Sequence, residues 1–303
     1  VSLPLGFVRG YVVAHDWGLS TQSFGGWVSD QARSLGIGLV FAVITALVFF
    51  AVVRAQPRWW WLYGWVAFTV LTVLFTFLWP IVIAPLFNKF TPLEDQTLTR
   101  EILHLADEAD VPIKEVLVAD ASKRTTAENA YVAGIGASKQ LVVYDTLLRN
   151  GREPETLFVV AHELGHKVKD HVVKGLLLST VGLFAGFAAL AWLSHRPGLW
   201  RWGYASGIGD VRALPLLLAF AAIAGLLTMP VQNAVSRTFE RQADSIAFDL
   251  TKDPDTAIRV FRRLAFSNLA DLKPSWVATS VLFTHPSIPD RIRAAVAESP
   301  SAP

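Results

Sequence analysis

Four long stretches of the 303-residue chain carry no Asp, Glu, Lys or Arg: Leu35–Val53, Trp59–Asn88, Gly175–Ser194 and Ala213–Ser236. Lys or Arg stands close to both ends of each. A bilayer's hydrocarbon core takes about 20 apolar residues of helix, so all four runs are long enough to span it. Helices of this length in a soluble core would carry polar residues along one face, and these do not. The pattern predicts spans at about 35–53, 62–86, 175–194 and 213–233.

Four spans place both termini on one side. They also place Lys89–Lys174 and Arg237–Pro303 there together, so two polar segments far apart in sequence can build one site. The short links Arg54–Arg58 and His195–Arg212 face the other way. Lys89, Arg100, Lys167, Lys169, Lys174, Arg237 and Arg241 lie near the spans on the shared side. Arg54, Arg58, Arg196, Arg201 and Arg212 lie on the other, and by the positive-inside rule this difference favours a cytoplasmic site. The predicted organisation is an N-terminal membrane region, 1–88, followed by a mostly polar domain, 89–303, interrupted by two spans.

Between the spans the pattern changes. Leu98–Ala109 has apolar residues at helical spacing. "EVLVAD" reads as a short strand. "NAYVAGIGASKQLVVYDTLL" reads as a hairpin: strand Ala130–Ile135, a Gly-Ala-Ser-Lys turn, and strand Leu141–Tyr144. Asp145 is expected to cap a short helix. Pro154 and Glu155 open another, expected to run unbroken through "VVAHELGHKVKDH" into the third span. The tail "ESPSAP" is expected to be disordered. The fold class is therefore mainly α, a polytopic membrane helical protein whose polar part carries a small β-hairpin or sheet.

Composition sharpens this picture. The chain is 52% apolar and 17% charged, with 11 Trp and a mean hydropathy of +0.41. Trp59, Trp60, Trp61 and Trp79 sit near the ends of the second run, and Trp200 and Trp202 between the third and fourth. Indole rings favour the headgroup layer. The net charge of +2 does not suggest a nucleic-acid partner, and zero Cys excludes disulfides and thiolate metal sites. The chain begins at Val1 and its only Met is Met229. Initiator removal and truncation of a longer chain both account for that.

His162 and His166 are four residues apart, so on a helix they share one face. That spacing lets two imidazoles reach one zinc ion. Glu163 projects beside the metal, where it can take a proton from zinc-bound water. The competing explanation is two solvated histidines on an amphipathic turn. Zinc needs a third protein ligand. The extended form of the motif would require Gly at Lys169 and His at Val172, and His171 falls one position short. The ligand is therefore sought on another helix. In "SRTFERQADSIAFDL", Glu240 and Asp244 share a helix face. Glu240 can complete a His-His-Glu set, and Asp244 can accept the N–H of a ligating imidazole. Arg237 and Arg241 keep a merely charged surface stripe open as the alternative.

"HELGHKVKDH", "FERQAD" and "THPSIPDR" together resemble the type I CAAX prenyl endopeptidase family of membrane zinc proteases. "SKRTTAENAYVAG", "LVVYDTLL", "PLFNKFTPL" and "VVAHDWGLS" match that family as well, in order along nearly the whole chain. The family pattern has membrane helices ahead of the "WGLS" region, which favours truncation, and implies that 89–303 is a zincin-like zinc metallopeptidase domain with a hydrolysis site inside a helical cage. By position, the resemblance makes His162, His166 and Glu240 the ligands of one zinc ion per chain and Glu163 the catalytic carboxylate. It matches Asp244 to a position sometimes assigned as proton donor. Holding a ligating imidazole is the role preferred on physical grounds. It makes His285 a residue facing the site, able to donate to an oxyanion, and Arg291 a second such donor or a holder of a substrate carboxylate. A lone His before Pro is otherwise an ordinary turn residue. Asn129 and the strand beginning Ala130, Tyr131 match the substrate-lining edge, where an extended peptide can hydrogen-bond. His171 matches a family position without a derivable role. His15, His104 and His195 read as surface or interfacial residues.

The expected activity is peptide-bond hydrolysis by zinc-activated water, near the C-terminus of prenylated or other peptides. The alternatives are a stress-type membrane protease degrading misfolded membrane proteins and a non-enzymatic scaffold or metal transporter. A transporter would carry polar residues within the spans, and these runs carry no charge. The expected partners are a peptide or protein substrate and the bilayer.

Overall fold

Each uncharged run matches a helix of the computed structural model to within a residue at its ends or lies inside one, and the structure describes residues 2–134 and 139–298. Among the described residues, the helices long and apolar enough to cross a membrane are Phe24–Ala55, Trp60–Phe87, His171–Ser194 and Val211–Thr251. Little of their apolar surface is covered by protein, and Leu226, Leu227 and Val231 are 64%, 75% and 67% exposed. Such surface is stable against lipid tails, not against water. Within the second of these helices, Trp79–Ile83 is a π-helical turn. Pro80 has no N–H for the regular ladder, which accounts for the local widening.

The chain divides into two units. One consists of Ala32–Trp79 and Val172–Pro230. Its centre is an aromatic cluster of Phe49, Phe50, Trp60 and Phe187 with Val53 and Leu190. Gly64 permits the contact, since a Cβ there would stand 2.5 Å from the Phe187 ring. The Trp65 indole N–H donates to the Thr180 carbonyl at 2.9 Å. Trp200 is buried with Ala205 and Ala213, and its N–H donates to the Ser194 carbonyl.

The other unit comprises Val1–Gln31, Pro80–His171 and Val231–Pro303. It holds a four-stranded sheet of β1 (Phe90–Pro92), β2 (Glu115–Ala119), β3 (Ala130–Ala133) and β4 (Gln140–Tyr144), in the order β1-β2-β4-β3. β2 and β4 run parallel, with Glu115 opposite Gln140. β3 and β4 are the predicted hairpin, antiparallel with Ala130 opposite Val143, so β3 is an edge strand. The predicted strand end Ile135, turn residues 136–138 and tail residues 299–303 lie outside the described residues. Helices Gln96–Glu108, Glu153–Val168 and Pro254–Ser267 bury Ile102, Phe158, Val160, Leu164 and Phe261 in one core with Leu141 and Val143. Each such side chain contributes about 1.5–3 kcal/mol.

Two expectations change in detail. The helix after β4 starts at Asp145, but its cap position is Tyr144. The Asp145 carboxylate instead accepts from the Ser122 N–H and hydroxyl, because the turn Ala121–Lys123 lies beside it. The helix through the His motif does not run into the third span either. It ends at Val168, and the next starts at His171. Asp170 is left-handed, with φ 52°. The Lys169 N–H donates to the Gly165 carbonyl and the Asp170 N–H to that of Lys167, closing the helix end.

Replacing Gly64 by Val should overpack the Phe187 contact and cost roughly 1–3 kcal/mol. A lower thermal midpoint of the detergent-solubilised chain is the expected result, read by circular dichroism.

Candidate metal centre

The motif helix, Glu153–Val168, is started by Pro154 in its first turn and by the Glu155 carboxylate accepting the Arg152 N–H. It buries Val160, Ala161 and Leu164 and turns His162 and His166 toward the helix Leu214–Thr251. The two helices touch at Gly165. A Cβ there would lie 2.9 Å from the Cα and carbonyl oxygen of Ala243. No residue larger than glycine fits that crossing without movement.

This close approach brings Glu240 to the histidines. Its Oε2 is 3.4 Å from His162 Nε2 and its Oε1 is 3.5 Å from His166 Nε2. The two Nε2 atoms are 3.2 Å apart. Four ligands tetrahedral about zinc at about 2.0–2.1 Å stand about 3.3–3.4 Å from one another. The two nitrogens stand close to that spacing, and each has one Glu240 oxygen near it: Oε2 for His162 and Oε1 for His166. Among the described residues, Glu240 Oε2 is also buried without a hydrogen-bond partner, a costly state that a cation relieves. The donor set, two imidazole nitrogens and a carboxylate oxygen on a crossing helix, fits a divalent metal.

Further groups hold this set from behind. Asp244 Oδ1 accepts from His162 Nδ1 at 2.8 Å, leaving Nε2 facing Glu240. Arg291 donates to both Asp244 oxygens, Nε at 2.9 Å and Nη2 at 2.6 Å. Its guanidinium lies 4.3 Å above the Phe261 ring. Arg291 therefore spends its fork on Asp244, a different partner from the substrate carboxylate or oxyanion that the resemblance implied. Removing either member of so buried a pair costs about 3–5 kcal/mol. His171 is buried beside His166.

The electrostatics favour positive charge where the ion would sit. Burial opposes protonation of His162, but the hydrogen bond to Asp244 and the nearby Glu240 carboxylate outweigh it and push its pKa up to about 9. Burial, reinforced by the charge of His162, lowers His166 to about 4. Burial raises Glu163 to about 7, within reach of proton exchange at neutral pH. Desolvation also lowers Lys167 and His285.

A cleft of about 530 Å³ opens on the centre, lined by His162, Glu163, Glu240, His285 and Asn129. His285 Nε2 is 3.4 Å from Glu240 Oε2, and its Nδ1 is 2.8 Å from the Thr284 hydroxyl. Arg237 Nη1 donates to the carbonyls of Thr279 and Phe283, tethering the loop that carries His285. Asn129 is exposed at the cleft, its Oδ1 accepting the Ala130 N–H at 3.0 Å. The Ala130 side chain is buried in the core. Tyr131 follows on the edge strand, its ring edge-on to Tyr144 and its hydroxyl pKa pushed up to about 12 by burial. Arg263 links Glu128, beside Asn129, to Glu155 of the motif helix.

A His-Glu-x-x-His helix crossed by a carboxylate-bearing helix, in a chain with membrane-length helices, defines a membrane metallopeptidase. The comparisons agree. The profile of peptidase family M48 matches residues 92–299, and that described as "CAAX prenyl protease N-terminal, five membrane helices" matches residues 1–89. The chain is 37% identical over 300 residues to an "Uncharacterized metalloprotease YhfN" of Bacillus subtilis, covering 98% of this chain and 70% of that one. It is 29% identical to "CAAX prenyl protease 1" of Saccharomyces cerevisiae, covering 97% and 68%. The crystal structure of S. mikatae Ste24p superposes with a TM-score of 0.87 at 27% identity, covering 97% of this chain and 72% of that one. The chain belongs to peptidase family M48 and is an integral-membrane metalloendopeptidase. The quality-control reading is not favoured by these relatives.

Gly165 had gone unremarked inside "HELGH". An unsubstituted residue between two candidate ligands was the available signal for a tight crossing. Gly165→Ala should raise local helix propensity by about 1 kcal/mol, yet weaken metal retention and slow proteolysis by forcing Ala243 away. Metal content after dialysis, measured beside the unfolding midpoint, checks this.

Proposed function

We propose that this enzyme is a zinc endopeptidase in which His162, His166 and Glu240 hold one ion, Glu163 is the general base and Asp244 orients His162. The observation that carries this reading is the 3.2 Å separation of the two imidazole Nε2 atoms, with one oxygen of the Glu240 carboxylate 3.4 Å from His162 and the other 3.5 Å from His166. When bound, zinc would supply Lewis acidity, polarising a peptide carbonyl and acidifying a water. Glu163, on the cleft side of the same helix turn, would accept the water's proton and pass it to the leaving amine. Asp244 accepts one hydrogen bond from His162 and two from Arg291, an arrangement suited to fixing the imidazole's tautomer rather than to donating a proton. Arg291 then acts through Asp244. His285, at the cleft and beside Glu240, would donate to the oxyanion.

The substrate is an extended peptide or protein segment, held along Asn129, Ala130 and Tyr131 where β3 offers a sheet edge. The names of the relatives favour C-terminal processing of prenylated chains. The Lys and Arg near the spans favour a cytoplasmic site.

Glu163→Gln should keep one zinc per chain by elemental analysis, while peptide hydrolysis falls by about 10²–10⁴-fold. Wild-type rates in that variant, or a wild-type protein without stoichiometric zinc, would overturn the assignment. A farnesylated C-terminal peptide should be cleaved with a higher kcat/KM than its unprenylated counterpart. Equal rates, followed by mass spectrometry, would remove the lipid from the substrate description.

A further inference from the structure

His171 lies five residues after His166. On one continuous helix it would stand about 140° around the axis from it, facing elsewhere. The break at Lys169–Asp170 instead returns the chain, and His171 opens the next helix with its ring against the site. It is 5% exposed. Its Nδ1 is 2.9 Å from His166 Nδ1, and its Nε2 is 2.9 Å from Gln242 Oε1. Its ring stacks on Phe239 at 4.2 Å and 10°.

These contacts fix a proton order. For His166 to ligate through Nε2, its Nδ1 must carry the proton. That N–H faces His171 Nδ1, which must accept and therefore carries its own proton on Nε2. Gln242 Oε1 stands where that second N–H points. We propose that His171 and Gln242 form a neutral hydrogen-bond relay that orients His166 and fixes its ligating tautomer. They are positioning residues, and the proposal rests on the metal reading above.

The geometry of the Leu214–Thr251 helix supports the assignment. Glu240 and Asp244, one turn apart, serve the ion and His162. Phe239 and Gln242, three residues apart on an adjoining face, hold His171 from two directions. Ala243 makes the helix contact between them. Each candidate histidine ligand thus has its own support: a charged pair, Asp244 and Arg291, behind His162, and an uncharged pair behind His166. A merely space-filling His171 would need the stack on Phe239 but neither nitrogen.

The test compares detergent-purified full chains. His171→Phe keeps a ring for the stack and removes the acceptor. His171→Asn places Oδ1 where Nδ1 stood and restores it. Zinc dissociation constants from chelator competition should rise about 10–100-fold for His171→Phe and return to within about threefold of wild type for His171→Asn. Gln242→Leu should weaken binding in the same direction, and it decides the matter should His171→Phe fail to fold. The visible absorption of cobalt-loaded protein should shift for His171→Phe and Gln242→Leu but not for His171→Asn. Unchanged zinc affinity in His171→Phe and Gln242→Leu, with wild type binding one zinc, overturns the relay and leaves the metal centre standing. Equal weakening in His171→Phe and His171→Asn also overturns it, since an acceptor would then not be what matters. A wild-type chain that binds no zinc overturns the metal centre first and the relay with it.

Discussion

The crossing of two helices at Gly165 and Ala243 is the constraint on which the site's geometry rests. Backbone approaches backbone there, with 2.9 Å left for an absent Cβ. Every donor separation around Glu240 follows from it, because Glu240 stands three residues before Ala243 and His166 one residue after Gly165. A side chain of ordinary size between the helices would lengthen those separations by more than an ion's ligand shell tolerates. The helix pair is in turn pinned by the core beneath it, where Phe158 and Leu164 of one helix meet Ala247 and Phe248 of the other. Packing energy spent away from the site therefore sets its precision.

That crossing has an electrostatic consequence. It confines two carboxylates, Glu240 and Asp244, beside two imidazoles in a region largely closed to water. Asp244 is balanced by Arg291, whose guanidinium is itself held over Phe261. Glu240 has no guanidinium beside it among the described residues, and its Oε2 faces only imidazoles, with His162 and His285 Nε2 each 3.4 Å away. The high proton affinity of His162 and the low affinity of His166 are two faces of the same imbalance: one proton is welcome between them and a second is not. A divalent ion satisfies what a single proton satisfies only in part.

Much of this was written in local sequence. The uncharged runs announced helices because lipid imposes a composition that can be read without partners. The i, i+4 pairs His162–His166 and Glu240–Asp244 announced shared faces because helical spacing is itself a local property. The hairpin of β3 and β4 was legible for the same reason. What escaped notice depends on places where local rules stop. Asp170 adopts φ 52° without being glycine, so nothing in "HKVKDHVVKG" marks the break that redirects His171. Arg291 looked like a group free to meet substrate because its partner lies 47 residues earlier. Asp145 looked like a cap because caps are a local habit, whereas its carboxylate answers to Ser122, brought near by the sheet.

The helix Leu214–Thr251 shows why these two kinds of information coincide here. Its first half is apolar around its circumference, and its second half carries Glu240, Gln242, Asp244 and the small Ala243 within five residues. A helix of about 1.5 Å rise per residue packs those groups into roughly one turn and a half, so their directions are fixed by one backbone instead of by several loops. Groups on such a rigid element can be held to the tolerance that ligand geometry demands, which loop-borne ligands meet less readily. Two histidines from one helix and one carboxylate from another are then enough to define the centre. The remaining polar residues around it follow from the need to leave no buried donor or acceptor unanswered.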